Sequence, residues 1–349
     1  MPGIPANITI AGRTPATIKG RVAPLIDTAE AARGGFRAEE GLLFSPNFNE
    51  EPDWAIRYAY DLYAYDGYGG LDGSNVPAGF DYMYSGERWH PNGDISGAGA
   101  VPGSQPVAQI SNFIDANEKA LIIHDESWGE NYQWGSDIVL TKEFDTQYAE
   151  LFVEIKVKIK PDWVWESAQD GITGKESVMK LMRVGNFRGA PTDNRYTFNT
   201  GANQGPLLFL NIGEAVYNSS APRGIFKGAV RHAPYSTGPN IFSYMKENQA
   251  SCLSILGDGT WHTLAARMVM NSAAGISDGI VQMWFDGNLT GTNSEIEWNR
   301  SAELNGIGLN SVAIGGNADN VPFDESLKHE QWWALKDFKV YDRVPARYL

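Results

Sequence analysis

Residues 278–287 read Asp-Gly-Ile-Val-Gln-Met-Trp-Phe-Asp-Gly, a pattern typical of a β-strand that ends in a tight turn. Val281, Met283 and Phe285 stand two positions apart, and alternate side chains of a strand point to the same face of a sheet. The Asp-Gly pair that follows is a strong signal for a two-residue hairpin. The sequence therefore predicts a strand with Phe285 in the core, which turns at Asp286 and Gly287 into a partner strand.

The same alternation marks residues 153–160, Val-Glu-Ile-Lys-Val-Lys-Ile-Lys. Its apolar residues predict one buried face, and Glu154 with the three lysines predicts a solvated charged stripe on the other. Further strands, separated by Gly, Asn and Asp turns, are predicted at Val178–Val184, Leu207–Ile212, His262–Asn271, Ile280–Asp286, Ser311–Gly315 and Trp333–Tyr341. Many short strands without long helical patterns favour an all-β fold, an antiparallel two-sheet jelly-roll sandwich with long loops.

The chain divides into two predicted parts. Residues 1–40 are proline-containing and weakly periodic, and they are interpreted as an N-terminal arm that contacts neighbouring subunits. Residues 41–349 are interpreted as the jelly-roll domain, with a loop-rich insertion around residues 54–105, where many aromatic residues stand among Gly, Asp and Pro. A chain that begins at Gly41 is expected to remain folded.

Composition excludes several classes of protein. The formal net charge of −14 disfavours nucleic acid and anionic membrane as partners, because both require a basic surface. The single cysteine, Cys252, excludes an internal disulfide and a cysteine metal cluster. We find neither a signal-peptide pattern nor an apolar run long enough for a membrane span, so none is predicted.

Four stretches carry a resemblance to a known superfamily. They are Gly257-Asp-Gly-Thr-Trp-His262 with the strand after it, residues 278–287, Ser311-Val-Ala-Ile-Gly-Gly316 and Asp337-Phe-Lys-Val-Tyr-Asp342. Together they resemble the concanavalin A-like (laminin G-like) jelly rolls over about residues 140–345, which implies that fold but no particular reaction. The order of Trp163-Val-Trp165 and Lys180-Leu-Met-Arg183 is more loosely similar to polysaccharide lyases and carbohydrate-binding proteins with this fold. Similar domains are common on phage and viral surfaces.

Residues 180–199 are the main candidate for chemistry. A lyase that acts on uronic acids needs a group that neutralises the carboxylate and groups that transfer protons. Arg183 or Arg195 could serve the first role, and Tyr196 or His232 the second. The strand motifs of alginate lyases with this fold and the paired carboxylates of a retaining glycosidase are both absent from the sequence. The sequence therefore favours a non-catalytic protein over an enzyme.

The leading interpretation is a non-catalytic carbohydrate-recognition or adhesion protein, displayed on a virion or another assembly. One alternative is a polysaccharide lyase that cleaves a uronic-acid polymer by β-elimination, and another is a purely structural surface protein. It is equally open whether the basic residues of the stretch 180–199 only form ion pairs with nearby carboxylates and bind no ligand. The residues expected to bind the ligand are Lys180, Arg183, Arg195, Tyr196, Asn199, Trp163 and Trp165.

Metal binding is predicted only for a hard cation. No two histidines have metal-ligand spacing, His262 is interpreted as a core residue, and His124 as a loop residue. Oxygen ligands are abundant, and the resemblance implies a structural Ca²⁺ near the first and last strands. Glu50 and Asp337 are its candidate ligands.

Overall fold

The computed structural model describes residues 39–56, 76–77, 79–85, 106, 108–126, 134–161, 178–186, 206–213, 225–231, 243–244, 258–319 and 330–349. In chain order their strands are β1 (Leu42–Phe44), β2 (Trp54–Ile56), β3 (Tyr82–Ser85), β4 (Ala108–Ser111), β5 (Ala120–Glu126), β6 (Trp134–Tyr148), β7 (Glu150–Ile159), β8 (Val178–Gly185), β9 (Leu207–Gly213), β10 (Ile225–Arg231), β11 (Ser243–Tyr244), β12 (His262–Val269), β13 (Gly279–Phe285), β14 (Asn288–Ile296), β15 (Leu309–Asp319) and β16 (Glu330–Tyr341). Two 3₁₀-helices, Ala302–Leu304 and Ala346–Tyr348, complete the regular structure of this part of the chain.

The strands form two antiparallel sheets. The first has nine strands in the order β14-β13-β12-β7-β16-β5-β4-β2, with β1 paired to β16. The second has seven strands in the order β11-β10-β9-β8-β15-β6-β3. The all-β, antiparallel two-sheet jelly roll predicted from the sequence is therefore confirmed. Within the described ranges, no helix is long and apolar enough to cross a membrane.

The main core lies between the two sheets and follows the predicted alternation. Val281, Met283 and Phe285 of β13 belong to it, and Phe285 is only 4% exposed. Phe285 pairs with Asn288 across the hairpin, so Asp286 and Gly287 are the two turn residues. Their φ angles of 46° and 79° lie in the left-handed region that this kind of turn requires.

The outer face of the nine-stranded sheet corrects one prediction. Glu154 is not part of a solvated stripe, because it is 8% exposed. Arg347 Nη2 and Tyr348 Oη donate hydrogen bonds to its two carboxylate oxygens at 2.7 and 2.6 Å. The Tyr348 ring lies 4.8 Å from the Phe152 ring on the same face. The C-terminal residues therefore cover part of a face that the sequence suggested was open to water.

The first described residue joins the same cluster. Tyr341 Oη donates a hydrogen bond to Glu39, and Lys339 and Arg347 form ion pairs with Glu39 at 3.3 Å each. Burial raises the pKa of Glu39, but the hydrogen bond and the two cations outweigh it and hold the pKa below its usual range. We call Glu39, Glu154, Tyr341, Arg347 and Tyr348 the terminal cluster.

The structure corrects the prediction for His124 and adds two strands to the predicted insertion. His124 was expected in a loop, but it lies in β5, fully buried, with its Nε2 2.9 Å from the Gln109 side-chain amide. The insertion predicted around residues 54–105 includes two described strands, β2 and β3, one in each sheet. The predicted arm lies outside the described residues except for Glu39 and Glu40.

Candidate functional site

A β-bulge places two basic residues of β8 on the same face of the seven-stranded sheet. Met179 and Leu181 point into the core, and so do Met182 and Val184, because the register with β9 shifts between Lys180 and Met182. Lys180 is paired with Asn211, and Arg183 with Phe209, which lie on the same side of β9. Both basic side chains therefore belong to the face that points away from the core.

Arg183 is a buried cation on this face. Its side chain is 3% exposed, and Nη1 donates a hydrogen bond of 3.0 Å to the carbonyl oxygen of Gly315. The guanidinium carbon lies 5.8 Å from the centre of the Phe209 ring. The planar guanidinium is thus held between a carbonyl and an aromatic ring, two partners that suit it well.

Two glycines of β15 allow neighbouring strands to approach closely. Gly315 and Gly316 have φ angles of 84° and 145°, which side chains rarely allow. A Cβ atom on Gly316 would lie 2.6 Å from Lys180 Cβ and 3.2 Å from Arg183 Nη2. Gly316 therefore permits the close approach of both basic residues to β15, whereas a Cβ atom on Gly315 would clash with the carbonyl oxygen of Ile138 on β6.

The remaining residues of the face are mostly buried, and Val139, Leu207, Phe209 and Ala313 form a small hydrophobic cluster on it. Thr141 and Arg183 are the two neighbours of Ala313 across adjacent strands. The Thr141 hydroxyl is buried and has no hydrogen-bond partner among the residues that the structure describes, and the same holds for the side-chain oxygen of Asn211. Lys180 and Asn211 are partly exposed. We call this set the Arg183 face, formed by Thr141, Lys180, Arg183, Phe209, Asn211 and Ala313.

The sequence identified only part of the Arg183 face. Lys180 and Arg183 were predicted and lie together on it, whereas Arg195, Tyr196, Asn199, His232, Trp163 and Trp165 lie outside the described residues. Phe209, Asn211 and Thr141 were missed, because their proximity to β8 depends on strand pairing over long sequence distances. The Gly-Gly pair at 315–316, inside an apolar strand, was the one available signal for a close approach.

His262 has the structural role that the sequence predicted. It is buried, stacks on Phe285 at 5.2 Å, and has ring nitrogens 2.8 Å from Asp286 Oδ2 and 2.9 Å from Thr260 Oγ1. Partial burial raises the pKa of Asp258, but hydrogen bonds from Thr260 and His262 outweigh this and lower it. These contacts tie the start of β12 to the β13–β14 turn.

The predicted calcium ligands have different surroundings. Asp337 lies on β16 and forms an ion pair of 2.7 Å with Lys156, so its charge is already balanced. Glu50 is exposed in a turn after β1. No group of three or more His, Cys, Asp or Glu side chains suited to a metal occurs in the described ranges. Calcium binding by Glu50 and Asp337 stays a prediction.

Comparisons with known proteins concern the fold. No protein-family profile matches the chain, and no curated protein gives a significant match. Among solved structures, alginate lyase Aly36B, a variant bound to an alginate trisaccharide, matches with 13% identity over 88% of this chain and 100% of that chain, at a TM-score of 0.48.

Two more solved structures have similar levels of likeness. The endo-β-1,4-glucuronan lyase of Trichoderma reesei has 12% identity over 75% of this chain and 95% of that chain, at a TM-score of 0.42. The endo-β-1,3(4)-glucanase SCLam has 9% identity over 88% of this chain and 93% of that chain, at a TM-score of 0.44. These matches assign this chain no substrate, reaction or residue role. Its own two antiparallel sheets give it the two-sheet jelly-roll fold expected from its sequence.

Proposed function

We propose that the chain binds a carboxylate-bearing polysaccharide, a polymer of uronic acids, at the Arg183 face. The observation that carries this proposal is the buried guanidinium of Arg183 on the same sheet face as the partly exposed Lys180, in a protein of formal net charge −14. Lys180 and Asn211 are the accessible edge of the face, and they would contact the ligand directly. Arg183 lies behind them and would add an attractive positive potential.

Burial strengthens this potential. The interaction between two charges grows as the effective dielectric constant falls, and salt screens a buried charge much less than an exposed one. A sugar carboxylate bound at Lys180 would therefore be attracted electrostatically by Arg183 without direct contact. The amide of Asn211 would supply an oriented hydrogen bond to a hydroxyl or carboxylate of the same sugar.

β-Elimination is a second candidate function, and the burial of Arg183 is the observation that favours it. A lyase must stabilise the extra negative charge that develops on a uronate when its α-proton is removed, and desolvated donors do this best. The residues predicted to transfer protons, Tyr196 and His232, would have to complete the site.

Display on a virion surface remains a separate proposal for the non-catalytic case, supported by the resemblance noted in the sequence. A purely structural surface protein would bind no glycan. The three possibilities differ in two measurable properties, namely binding to polyuronates and formation of an unsaturated product.

The test combines a binding assay with an elimination assay. Alginate, glucuronan, polygalacturonate and a neutral glucan are each titrated into the full chain by calorimetry, and ultraviolet absorbance reports the unsaturated product. We expect at least one polyuronate to bind and the neutral glucan not to bind. Lys180→Gln should weaken binding by about tenfold, since one charged contact is lost.

Lys142→Gln is the matched control. Lys142 lies on β6 of the same sheet and already pairs with Asp81 at 3.1 Å, so its replacement should leave binding unchanged. Equal binding by wild type and Lys180→Gln would overturn the proposed site. A rise in absorbance supports the lyase, binding without it supports recognition alone, and no binding to any polyuronate supports the structural alternative.

A further inference from the structure

We propose a second contact for an acidic polysaccharide on the opposite side of the sandwich, at the outer face of the nine-stranded sheet. It is formed by Lys158, Trp261, Trp332 and Lys336, which we call the Trp261 patch. It shares the ligand class of the proposed function but none of its residues. Either site could therefore exist without the other.

Strand pairing brings the patch together. Lys158 of β7 is paired with Ala334 of β16, and Trp332 and Lys336 stand two residues to either side of Ala334 on the same face. Neighbours on one face of a strand are about 7 Å apart. Trp261 packs against the small apolar cluster of Ala120, Ile122 and Ala334 at the centre of this arrangement.

The two lysines converge on the indole of Trp261. Lys336 Nζ lies 4.4 Å from the ring centre and Lys158 Nζ lies 6.0 Å from it. Cations are attracted to the face of an aromatic ring, and Trp is the strongest such partner. One indole ring therefore lies within about 6 Å of both ammonium groups.

Only one of these charges is balanced within the patch. Lys336 is 8% exposed and forms an ion pair with Glu118. Lys158 is partly exposed and has no ion-pair partner in the part of the chain that the structure describes. The nearby Lys156 is already paired with Asp337. The patch consequently carries about one net positive charge, in a protein whose total is strongly negative.

An acidic polysaccharide is the occupant that fits these features. Its carboxylate would supply the ion-pair partner that Lys158 lacks among the described residues. Its apolar C–H faces would lie against the partly exposed indoles of Trp261 and Trp332. A neutral sugar would satisfy only the second requirement, so the charge of Lys158 predicts a preference for uronic acids.

The experiment counts binding sites. Short oligomers of galacturonate and an uncharged glucan oligomer of equal length are titrated into the full chain by calorimetry. Wild type should bind two galacturonate oligomers, and Lys158→Gln and Lys180→Gln should each weaken one of the two binding events by about tenfold. Binding at the other site should keep its affinity within about twofold, because the two sites lie on opposite faces.

Lys142→Gln is again the matched control, since Lys142 Nζ also lies near an aromatic ring, 5.7 Å from the centre of Phe44, but is paired with Asp81. It should bind two oligomers. Trp332→Leu provides a second variant of the patch and should weaken the site at Lys158 with unchanged affinity at the other.

Each outcome separates the two sites. If Lys158→Gln and Trp332→Leu both bind like wild type, the Trp261 patch is not a site, whatever happens at Lys180. If Lys158→Gln weakens the only binding event and Lys180→Gln changes nothing, the patch is supported and the Arg183 site is wrong. Equal binding of the uncharged oligomer, or no binding of galacturonate at all, overturns the patch.

Discussion

At the scale of single residues, Glu154 shows what alternation can and cannot predict. The pattern of β7 correctly places Glu154 opposite the main core, and at that point the sequence suggests exposure to water. The two groups that bury it and donate hydrogen bonds to it, Arg347 and Tyr348, come from the end of the chain, 193 and 194 residues later. No local pattern contains that information.

Replacing Glu154 by Ala tests its burial. The change would remove the acceptor of the Tyr348 hydroxyl and one of the two carboxylate partners of Arg347, which keeps Glu39. Because Glu154 is buried but Arg347 is partly exposed, we expect the free energy of unfolding to fall by about 2 kcal/mol, measured by urea denaturation. Glu295→Ala, at an exposed position of β14, should change it by less than about 0.5 kcal/mol. Equally small effects for both variants would show that Glu154 is solvated, as the sequence first suggested.

At the scale of strands, the β13–β14 hairpin is the element that the sequence specified best. Both its face assignment and its turn can be read locally, because the period of two and the Asp-Gly signal need no distant partner. Phe285→Ala should lower the free energy of unfolding by about 3–5 kcal/mol, since a large core side chain is lost. Equilibrium unfolding measures this, and a loss below about 1 kcal/mol would contradict the core position of Phe285.

Other strands were harder to predict for physical reasons. β6 spans Trp134–Tyr148, but its first residues, Trp-Gly-Ser-Asp, alternate poorly, so the sequence did not indicate so long a strand. The bulge at Lys180–Met182 breaks the alternation of β8 by one residue. This shift brings Lys180 to the face of Arg183. The candidate site could therefore be located near residue 180, but its geometry depends on pairing with β9 and β15.

At the scale of the whole molecule, the Arg183 face lies on one side of the sandwich, and both the Trp261 patch and the terminal cluster lie on the other. The terminal cluster lies on the outer face of the nine-stranded sheet, where Glu39 and Arg347 meet. The Arg183 face belongs to the other sheet, on the far side of the core. The predicted arm thus joins the domain on the side away from the Arg183 face. Such an arrangement would let the arm contact a neighbouring subunit while that face stays available to a polysaccharide.

Two truncated chains test where the folded domain begins. A chain that begins at Glu39 keeps the acceptor for Tyr341 and the partner of Lys339 and Arg347, so its free energy of unfolding should equal that of the full chain. A chain that begins at Gly41 lacks these contacts. Since Glu39 is partly exposed, we expect the loss to be about 1 kcal/mol.

Thermal and urea unfolding of both truncated chains provide the measurement, and analytical ultracentrifugation compares their oligomeric state with that of the full chain. If the arm serves assembly, both truncations should yield monomers while the full chain associates. Loss of folding in the chain that begins at Glu39 would show that residues 1–38 belong to the sandwich. Equal stability of the two truncated chains would instead show that Glu39 contributes nothing to the terminal cluster, and the boundary after residue 40 would then stand as the sequence predicted it.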